Sequence, residues 1–194
     1  MKRIAIYGGT FNPIHFGHIG MALWTLTHTD LDELWLMVTP GNPLKDGQLL
    51  AQNEQERLLA ARNTIQQVVI DHADELRNKH LRVSDFEFSL PKPSFTAQTL
   101  QTLQQTYPDI RWSLLIGQDN YDIFTRWRNW QWIAQNFSVF VYPRQSEGTQ
   151  HADCAAPPAE CFKDLVFLHS APLFDISSTR IRTKNNPNLS FPLA

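Results

Sequence analysis

The sequence predicts an α/β fold in which helices cover both faces of a mainly parallel sheet, the doubly wound arrangement. Six short apolar runs recur along the chain, and segments with helical periodicity lie between them. Nearly unbroken apolar runs are typical of strands that are buried on both faces. Alternation of such strands with helices favours right-handed crossovers and a ligand site at the carboxyl ends of the strands.

The apolar runs predict the strands in chain order. They lie at 4–7 (IAIY), 34–38 (LWLMV), 81–83 (LRV), 112–116 (WSLLI), 138–142 (SVFVY) and 165–168 (LVFL).

Three segments between these runs carry apolar residues at helical spacing. The first begins near Gly17, the second follows Asn53, and the third begins near Thr96. Glu56, three residues after Asn53, completes the pattern of a capping box. The side chains predicted to face the core are Ile19, Ala22, Leu23, Leu26, Leu58, Ala61, Ile65, Val68, Val69, Ala97, Leu100, Leu103 and Tyr107.

Size and composition indicate one domain that spans the 194 residues, with a flexible polar loop at about 144–161 and a short tail after 183. A net charge of -2, from 17 basic and 19 acidic residues, provides no field for nucleic acid or an anionic membrane. The opening MKRIAIYGG is too short an apolar run for a signal peptide, so we expect a cytoplasmic protein. We expect Cys154 and Cys161 to be free thiols, and the sequence does not fix the oligomeric state.

The segment GGTFNPIHFGH at 8–18 follows the first strand and leads into the first helix. Gly8 and Gly9 allow a tight turn and close approach of a ligand, and the amides at the start of a helix favour an anion. His15 and His18 at this position could donate hydrogen bonds to phosphate oxygens. A single histidine at a helix start is more typical of a polar cap or a packed ring. No zinc-binding pattern surrounds them, so we expect no protein-bound metal.

The segment DISSTRIR at 175–182 predicts a second anion site near the other end of the chain. Ser177, Ser178 and Thr179 supply cap hydroxyls at a helix start, and Arg182 lies one turn further on, where its guanidinium can bind a polyphosphate. In isolation this segment favours an ordinary capped surface helix over an anion site.

Together the two segments resemble the paired HxGH and ISSTxxR signatures of the nucleotidyltransferase superfamily. Within it, the GGTFNPIHFGH opening is most similar to that of bacterial nicotinate mononucleotide adenylyltransferases. Further similar segments are TPGNPLK at 39–45, PSFTAQTL at 93–100 and LLIGQDNYDIFTRW at 114–127. The resemblance extends to about residue 182 and implies a Rossmann-like nucleotidyltransferase fold, with ATP and nicotinate mononucleotide as small-molecule substrates.

The resemblance also implies roles for individual residues. His15, His18 and Arg182 would be catalytic. The residues that would bind ATP are Gly8, Gly9, Thr10, Phe11, His15, His18, Gly117, Asp119, Ser177, Ser178, Thr179 and Arg182. Those that would bind the mononucleotide are Asn42, Lys45, Phe95, Thr96, Trp127 and Arg144. Without the resemblance, Trp127 is equally consistent with a core residue and Asp119 with a helix cap.

The implied reaction is adenylyl transfer from ATP to nicotinate mononucleotide, which yields deamido-NAD and pyrophosphate in NAD biosynthesis. The sequence shows no nucleophile with a partnered base, so we expect direct in-line attack by the mononucleotide's phosphate. Mg²⁺ would arrive bound to ATP. Two alternatives stay open: transfer to another acceptor (nicotinamide mononucleotide, phosphopantetheine or glycerol phosphate), and a nucleotide-binding module without catalysis.

Overall fold

The computed structural model describes residues 1–41, 53–144 and 156–174, and within them all six predicted strands are present. The strands are β1 (Lys2–Gly9), β2 (Glu33–Val38), β3 (His80–Ser84), β4 (Ile110–Gly117), β5 (Ser138–Tyr142) and β6 (Asp164–Phe167). The helices are α1 (Phe16–His28), α2 (Glu54–Asp71), α3 (Ala73–Leu76), α4 (Thr96–Thr106), α5 (Gln118–Asp122) and α6 (Trp130–Asn136).

The six strands form one parallel sheet in the order β3-β2-β1-β4-β5-β6. The chain therefore builds outward from β1 to β3 and then returns to the other side of β1 with β4. This reversal confirms the doubly wound α/β fold. Ligands of such sheets bind at the carboxyl ends of the strands where the order reverses, here between β1 and β4.

The two central strands pair along only part of their length. The register of β1 with β4 runs from Lys2↔Ile110 to Ile6↔Leu114, although both strands continue for three more residues. On their outer sides pairing continues to the strand ends, at Gly9↔Val38 and Gly117↔Tyr142. The sheet therefore opens between β1 and β4 at their carboxyl ends, where backbone groups are freed to meet a ligand.

Each face of the sheet buries its own apolar cluster. Successive strand residues alternate between the faces, so that Ala5 packs with α1 and α2 while Ile4 and Ile6 pack with α4 and α6. Of the helical residues predicted to face the core, Tyr107 is confirmed only in part. It follows the end of α4 at Thr106 and is 39% exposed, but its ring contacts the buried Trp35 and Trp112 rings.

The predicted capping box is confirmed at the start of α2. The Asn53 side chain accepts a hydrogen bond from the Glu56 amide at 2.8 Å, and the Glu56 carboxylate accepts one from the Asn53 amide at 3.2 Å. The short helices α3, α5 and α6 were not predicted. Within the predicted loop at 144–161, Ala159–Cys161 form a 3₁₀ turn, and Cys154 lies outside the described residues. Cys161 has a free thiol. No helix in the described part of the chain is long and apolar enough to cross a membrane.

Candidate active site

A cavity of about 230 Å³ lies where β1 and β4 separate. One wall is the end of β1 and the turn after it, including Gly8, Gly9 and Thr10. The opposite wall combines the end of β4 with Trp127 and its neighbours. Six predicted site residues line this cavity: Gly8, Gly9, Thr10, Phe95, Thr96 and Trp127.

The turn after β1 depends on a close contact between Gly9 and Phe11. A Cβ atom at Gly9 would lie 3.1 Å from the Phe11 ring, so a larger residue would push that ring away. Phe11 is 2% exposed and has a positive φ of 44°. Its ring contacts His18 edge to face, with the centroids 5.0 Å apart. The Phe11 ring thus packs against Gly9 in the turn and against His18, and it does not line the cavity.

The two histidines stack on each other at the start of α1. His15 is the N-cap residue, His18 lies in the first turn, and their ring centroids are 3.7 Å apart. The backbone amide of His15 donates to Nδ1 of His18 at 3.3 Å. Nδ1 of His18 is therefore an acceptor, and the neutral ring carries its proton on Nε2. This tautomer makes Nε2 of His18 a hydrogen-bond donor for an anion.

His15 is the more deeply buried of the two histidines. It is 7% exposed, and its side chain takes part with His18 in a capping box at the start of α1. Burial, together with the positive charge of Arg144, lowers the pKa of His15 to about 4. His15 is thus neutral at physiological pH, and its half-buried neighbour His18 is the more accessible ring.

The low pKa of His15 predicts a pH-dependent stability. In the unfolded chain His15 binds a proton below its ordinary pKa of about 6.5. In the folded chain His15 binds this proton only near pH 4. The free energy of unfolding should therefore fall as the pH is lowered through this window, by up to about 1.4 kcal/mol per pH unit from this group.

Histidine NMR titration checks the same value directly. We expect the His15 ring signals to titrate near pH 4 in the free protein and at higher pH when a triphosphate is bound. Urea unfolding of His15→Asn should show a flatter pH dependence between pH 6.5 and 4 than the unaltered chain. Titration of His15 near 6.5 in the free protein would contradict the buried arrangement.

Asp119 and Arg144 lie at the carboxyl ends of β4 and β5 and form an ion pair of 2.9 Å. A Cβ atom at Gly117 would overlap the Asp119 carboxylate and lie 3.2 Å from Cδ of Arg144, so glycine makes room for the pair. The resemblance implies Asp119 as an ATP ligand and Arg144 as a ligand of the mononucleotide's phosphate, and in the structure the two side chains pair. Because the Arg144 charge acts on His15, this pair belongs with the histidines.

Trp127 stands in the opposite wall of the cavity. Its ring packs on Phe124 at 5.1 Å, and its Nε1 atom is buried with no hydrogen-bond partner in the described part of the chain. The neighbouring Arg128 guanidinium lies over the Phe95 ring at 4.9 Å. Sequence reasoning missed further lining residues, which are Thr39, Glu87, Ser94, Asn120, Arg126 and Arg128. A local signal existed for most of them, because Thr39 lies in the Pro/Gly loop at 39–52, Glu87 and Ser94 lie in the loop at 84–95, and both loops follow a predicted strand and precede a predicted helix.

Arg57 of α2 is a second feature that the sequence did not indicate. The side chain is fully buried, and its guanidinium donates to the backbone carbonyls of Thr10, Thr39 (2.9 Å) and Pro40 (2.8 Å). Thr10 follows β1 and Thr39 follows β2, and both line the cavity. Arg57 therefore holds together the two loops that form one side of the site.

Six predicted site residues lie outside the described residues: Asn42, Lys45, Ser177, Ser178, Thr179 and Arg182. The residue just before the second predicted segment is Phe174, and it packs on α1. A Cβ atom at Gly20 would overlap the Phe174 ring, and the Phe16 and Phe174 rings are 6.4 Å apart. The chain thus reaches residue 174 beside the helix that carries His18.

Comparison with known proteins places this site in a family. A cytidylyltransferase-like family model matches residues 6–184. The probable nicotinate-nucleotide adenylyltransferase of Flavobacterium johnsoniae is 36% identical over 93% of this chain and 84% of its own. The corresponding protein of Bacteroides fragilis is 38% identical over 93% of this chain and 80% of its own.

Solved structures share the fold. The Plasmodium falciparum nicotinic acid mononucleotide adenylyltransferase complexed with NaAD superposes with a TM-score of 0.69 at 16% identity, covering 94% of this chain and 83% of its own. A Vibrio parahaemolyticus structure described as a nicotinate-nucleotide adenylyltransferase superposes with a TM-score of 0.60 at 23% identity, covering 94% and 86%. The sequence relatives and the shared fold agree. This chain belongs to the cytidylyltransferase-like family and, within it, to the nicotinate-nucleotide adenylyltransferases.

Proposed function

We propose that this protein transfers the adenylyl group of ATP to nicotinate mononucleotide, which yields deamido-NAD and pyrophosphate for NAD biosynthesis. The observation that carries the proposal is the opening between β1 and β4, which has the glycine turn on one wall and Trp127 on the other. The printed names of the relatives support the same reaction.

The triphosphate would bind on the side of the histidines. The first turn of α1 offers its amides and the Nε2 proton of His18, both of which favour an anion. Asp119, at the start of α5, is the acceptor for ribose hydroxyls that the family resemblance implies, with Gly117 beside it. Ser177, Ser178, Thr179 and Arg182 would bind the β- and γ-phosphates. The packing of Phe174 on α1 supports an approach of that segment to the histidines.

The mononucleotide would bind in the cavity on the other side of the turn. The Trp127 ring suits stacking on a flat, positively charged pyridinium. The backbone around Phe95 and Thr96, at the start of α4, would bind the ring's carboxylate. Asn42 and Lys45 would receive its phosphate, and the exposed Arg126 and Arg128 add positive charge at the same cavity.

The reaction then needs positioning and charge neutralisation more than proton transfer. The attacking phosphate oxygen is already ionised, so it requires no general base and would attack the α-phosphorus in line with the leaving pyrophosphate. His18 and Arg182 would stabilise the charge that develops on phosphate oxygens. Mg²⁺ would supply further neutralisation of the triphosphate. In the described residues no group of three or more His, Cys, Asp or Glu side chains could hold a metal ion.

An acceptor screen tests the proposal. The protein is incubated with Mg²⁺ and ATP plus one of four acceptors: nicotinate mononucleotide, nicotinamide mononucleotide, phosphopantetheine or glycerol phosphate. We expect pyrophosphate release with nicotinate mononucleotide, none without acceptor, and loss of release when Mg²⁺ is chelated. Release with only another acceptor, or ATP binding without turnover, would overturn the proposal.

The cytoplasmic location expected from the sequence stays a prediction.

A further inference from the structure

One buried carboxylate lines the cavity and has no role in the reaction as described so far. Glu87 lies in a 3₁₀ turn (Phe86–Ser89) after β3 and is 5% exposed. It shares the lining of the cavity with Phe95, Thr96 and Trp127, the residues proposed to hold the pyridine ring. A charged group at this position faces the part of the site that would receive the ring.

Within the residues that the structure describes, the partners of Glu87 are neutral hydroxyl groups. Thr99 donates to Oε1 at 2.8 Å and Ser94 donates to Oε2 at 3.2 Å, and the Thr39 side chain adds a further hydrogen bond. Burial raises the pKa of the Glu87 carboxyl, and these three hydroxyls oppose that rise. A carboxylate has about four acceptor sites, so Glu87 retains capacity for another partner.

The other buried glutamate of the described residues, Glu33, has cationic partners, whereas Glu87 has none among these residues. Glu33, 4% exposed, forms ion pairs with Lys2 and with Arg82 (3.0 Å). No ion pair joins Glu87 to a cationic side chain within the residues that the structure describes. A buried charge without a cation costs free energy, and a cationic ligand in the same cavity would offset that cost.

The proposed substrate contains such a cation. The ring nitrogen of an oxidised pyridine mononucleotide carries a permanent positive charge, whereas a dihydropyridine ring has the same size and no charge. Arg126 and Arg128, although they line the cavity, are exposed and suit the substrate's carboxylate and phosphate rather than its ring.

We propose that the Glu87 carboxylate is the counter-ion of the pyridinium ring and makes the cavity select the oxidised mononucleotide over its dihydro form. This inference rests on the proposed function, because it assumes that the ring lies between Trp127 and the segment at Phe95 and Thr96. It adds a binding residue, and it adds a charge-based selectivity to the cation-π attraction that Trp127 offers.

Binding of two ligands to Glu87→Gln tests the inference. Nicotinate mononucleotide and its 1,4-dihydro form are titrated by calorimetry into the unaltered chain and the variant. We expect the unaltered chain to bind the oxidised ring more tightly. Glu87→Gln should lose about tenfold in affinity for the oxidised ring, while its affinity for the dihydro ring changes by less than about twofold.

Thr99→Val is the matched control, since it removes a hydroxyl donor to Glu87 and keeps the carboxylate. If it weakens binding by shifting the Phe95 segment, both rings should be affected alike and the preference retained. An equal loss for both rings in Glu87→Gln would overturn the inference, as would equal binding of both rings by the unaltered chain, which needs no folded variant. Pyrophosphate release by the unaltered chain, measured in parallel, shows whether the proposed function stands independently of Glu87.

Discussion

His18→Ala is expected to lower kcat by about 10²- to 10³-fold, the usual cost of removing a hydrogen-bond donor that stabilises transition-state charge. The reason is chemical: Nδ1 of His18 accepts the His15 amide, so the neutral ring carries its proton on Nε2 in the first turn of α1. The mononucleotide would bind in the cavity that His18 does not line, so its KM should stay within about threefold. Initial rates of pyrophosphate release at varied mononucleotide concentration separate the two parameters.

The same helix offers a control for this substitution. His28 ends α1, is exposed and stacks on Trp24, with the ring centroids 4.4 Å apart. His28→Ala should leave kcat and KM near those of the unaltered chain. An unchanged kcat in His18→Ala would reject the role assigned to His18, and a rise in KM with constant kcat would move that role to substrate binding.

Replacement of Arg57 by methionine is expected to destabilise the fold by about 3 kcal/mol or more, because hydrogen bonds to a charged group are lost and buried carbonyls remain without donors. The carbonyls belong to Thr10, Thr39 and Pro40, in the loops that form one side of the cavity. We therefore expect higher KM values for both substrates in addition to a lower free energy of unfolding. Urea unfolding and steady-state kinetics measure the two effects.

Two further variants show whether the effect of Arg57→Met comes from the lost charge, from the lost guanidinium shape or from a general disturbance of α2. Arg57→Lys keeps the charge but not the planar fork, so it should recover only part of the lost stability. Arg62 lies on the same helix, is half exposed and pairs with Asp85 at 2.8 Å. Arg62→Met should change the free energy of unfolding by less than about 1 kcal/mol. Equal effects of Arg57→Met and Arg62→Met would contradict the account of Arg57 as the residue that joins the two loops.

The sequence was informative about the sheet because burial on both faces leaves a local pattern. All six strands appear as apolar runs, and the start of α2 carries its capping box within four residues. The short helices α5 and α6 leave no such pattern, because each is at most seven residues long and too short for helical periodicity to show. Tyr107 is buried only in part for a related reason, since the periodicity continues one residue beyond the end of α4.

The sequence predicts the site residues that belong to a ligand-binding motif. It does not predict the residues that hold the loops of the site in place. The glycine turn and the two histidines are adjacent in sequence, and the resemblance placed Trp127. Arg57 in NEQERLLAARNT has the appearance of a solvated helix residue, and only the fold shows that it is buried against two loops. The pairing of Asp119 with Arg144 joins residues 25 apart in the chain and also depends on how β4 and β5 align.

The partial pairing of β1 with β4 has a consequence for how the two substrates meet. From their amino-terminal ends to Ile6 and Leu114, β1 and β4 are joined by a hydrogen-bond ladder. Beyond these two residues they diverge with the natural twist of the sheet. The width of the gap is therefore set by the rigid centre of the fold and not by the loops around its rim. With the two substrates bound as proposed, loop substitutions would alter which acceptor is recognised, while the strands would fix the spacing between the two reactants.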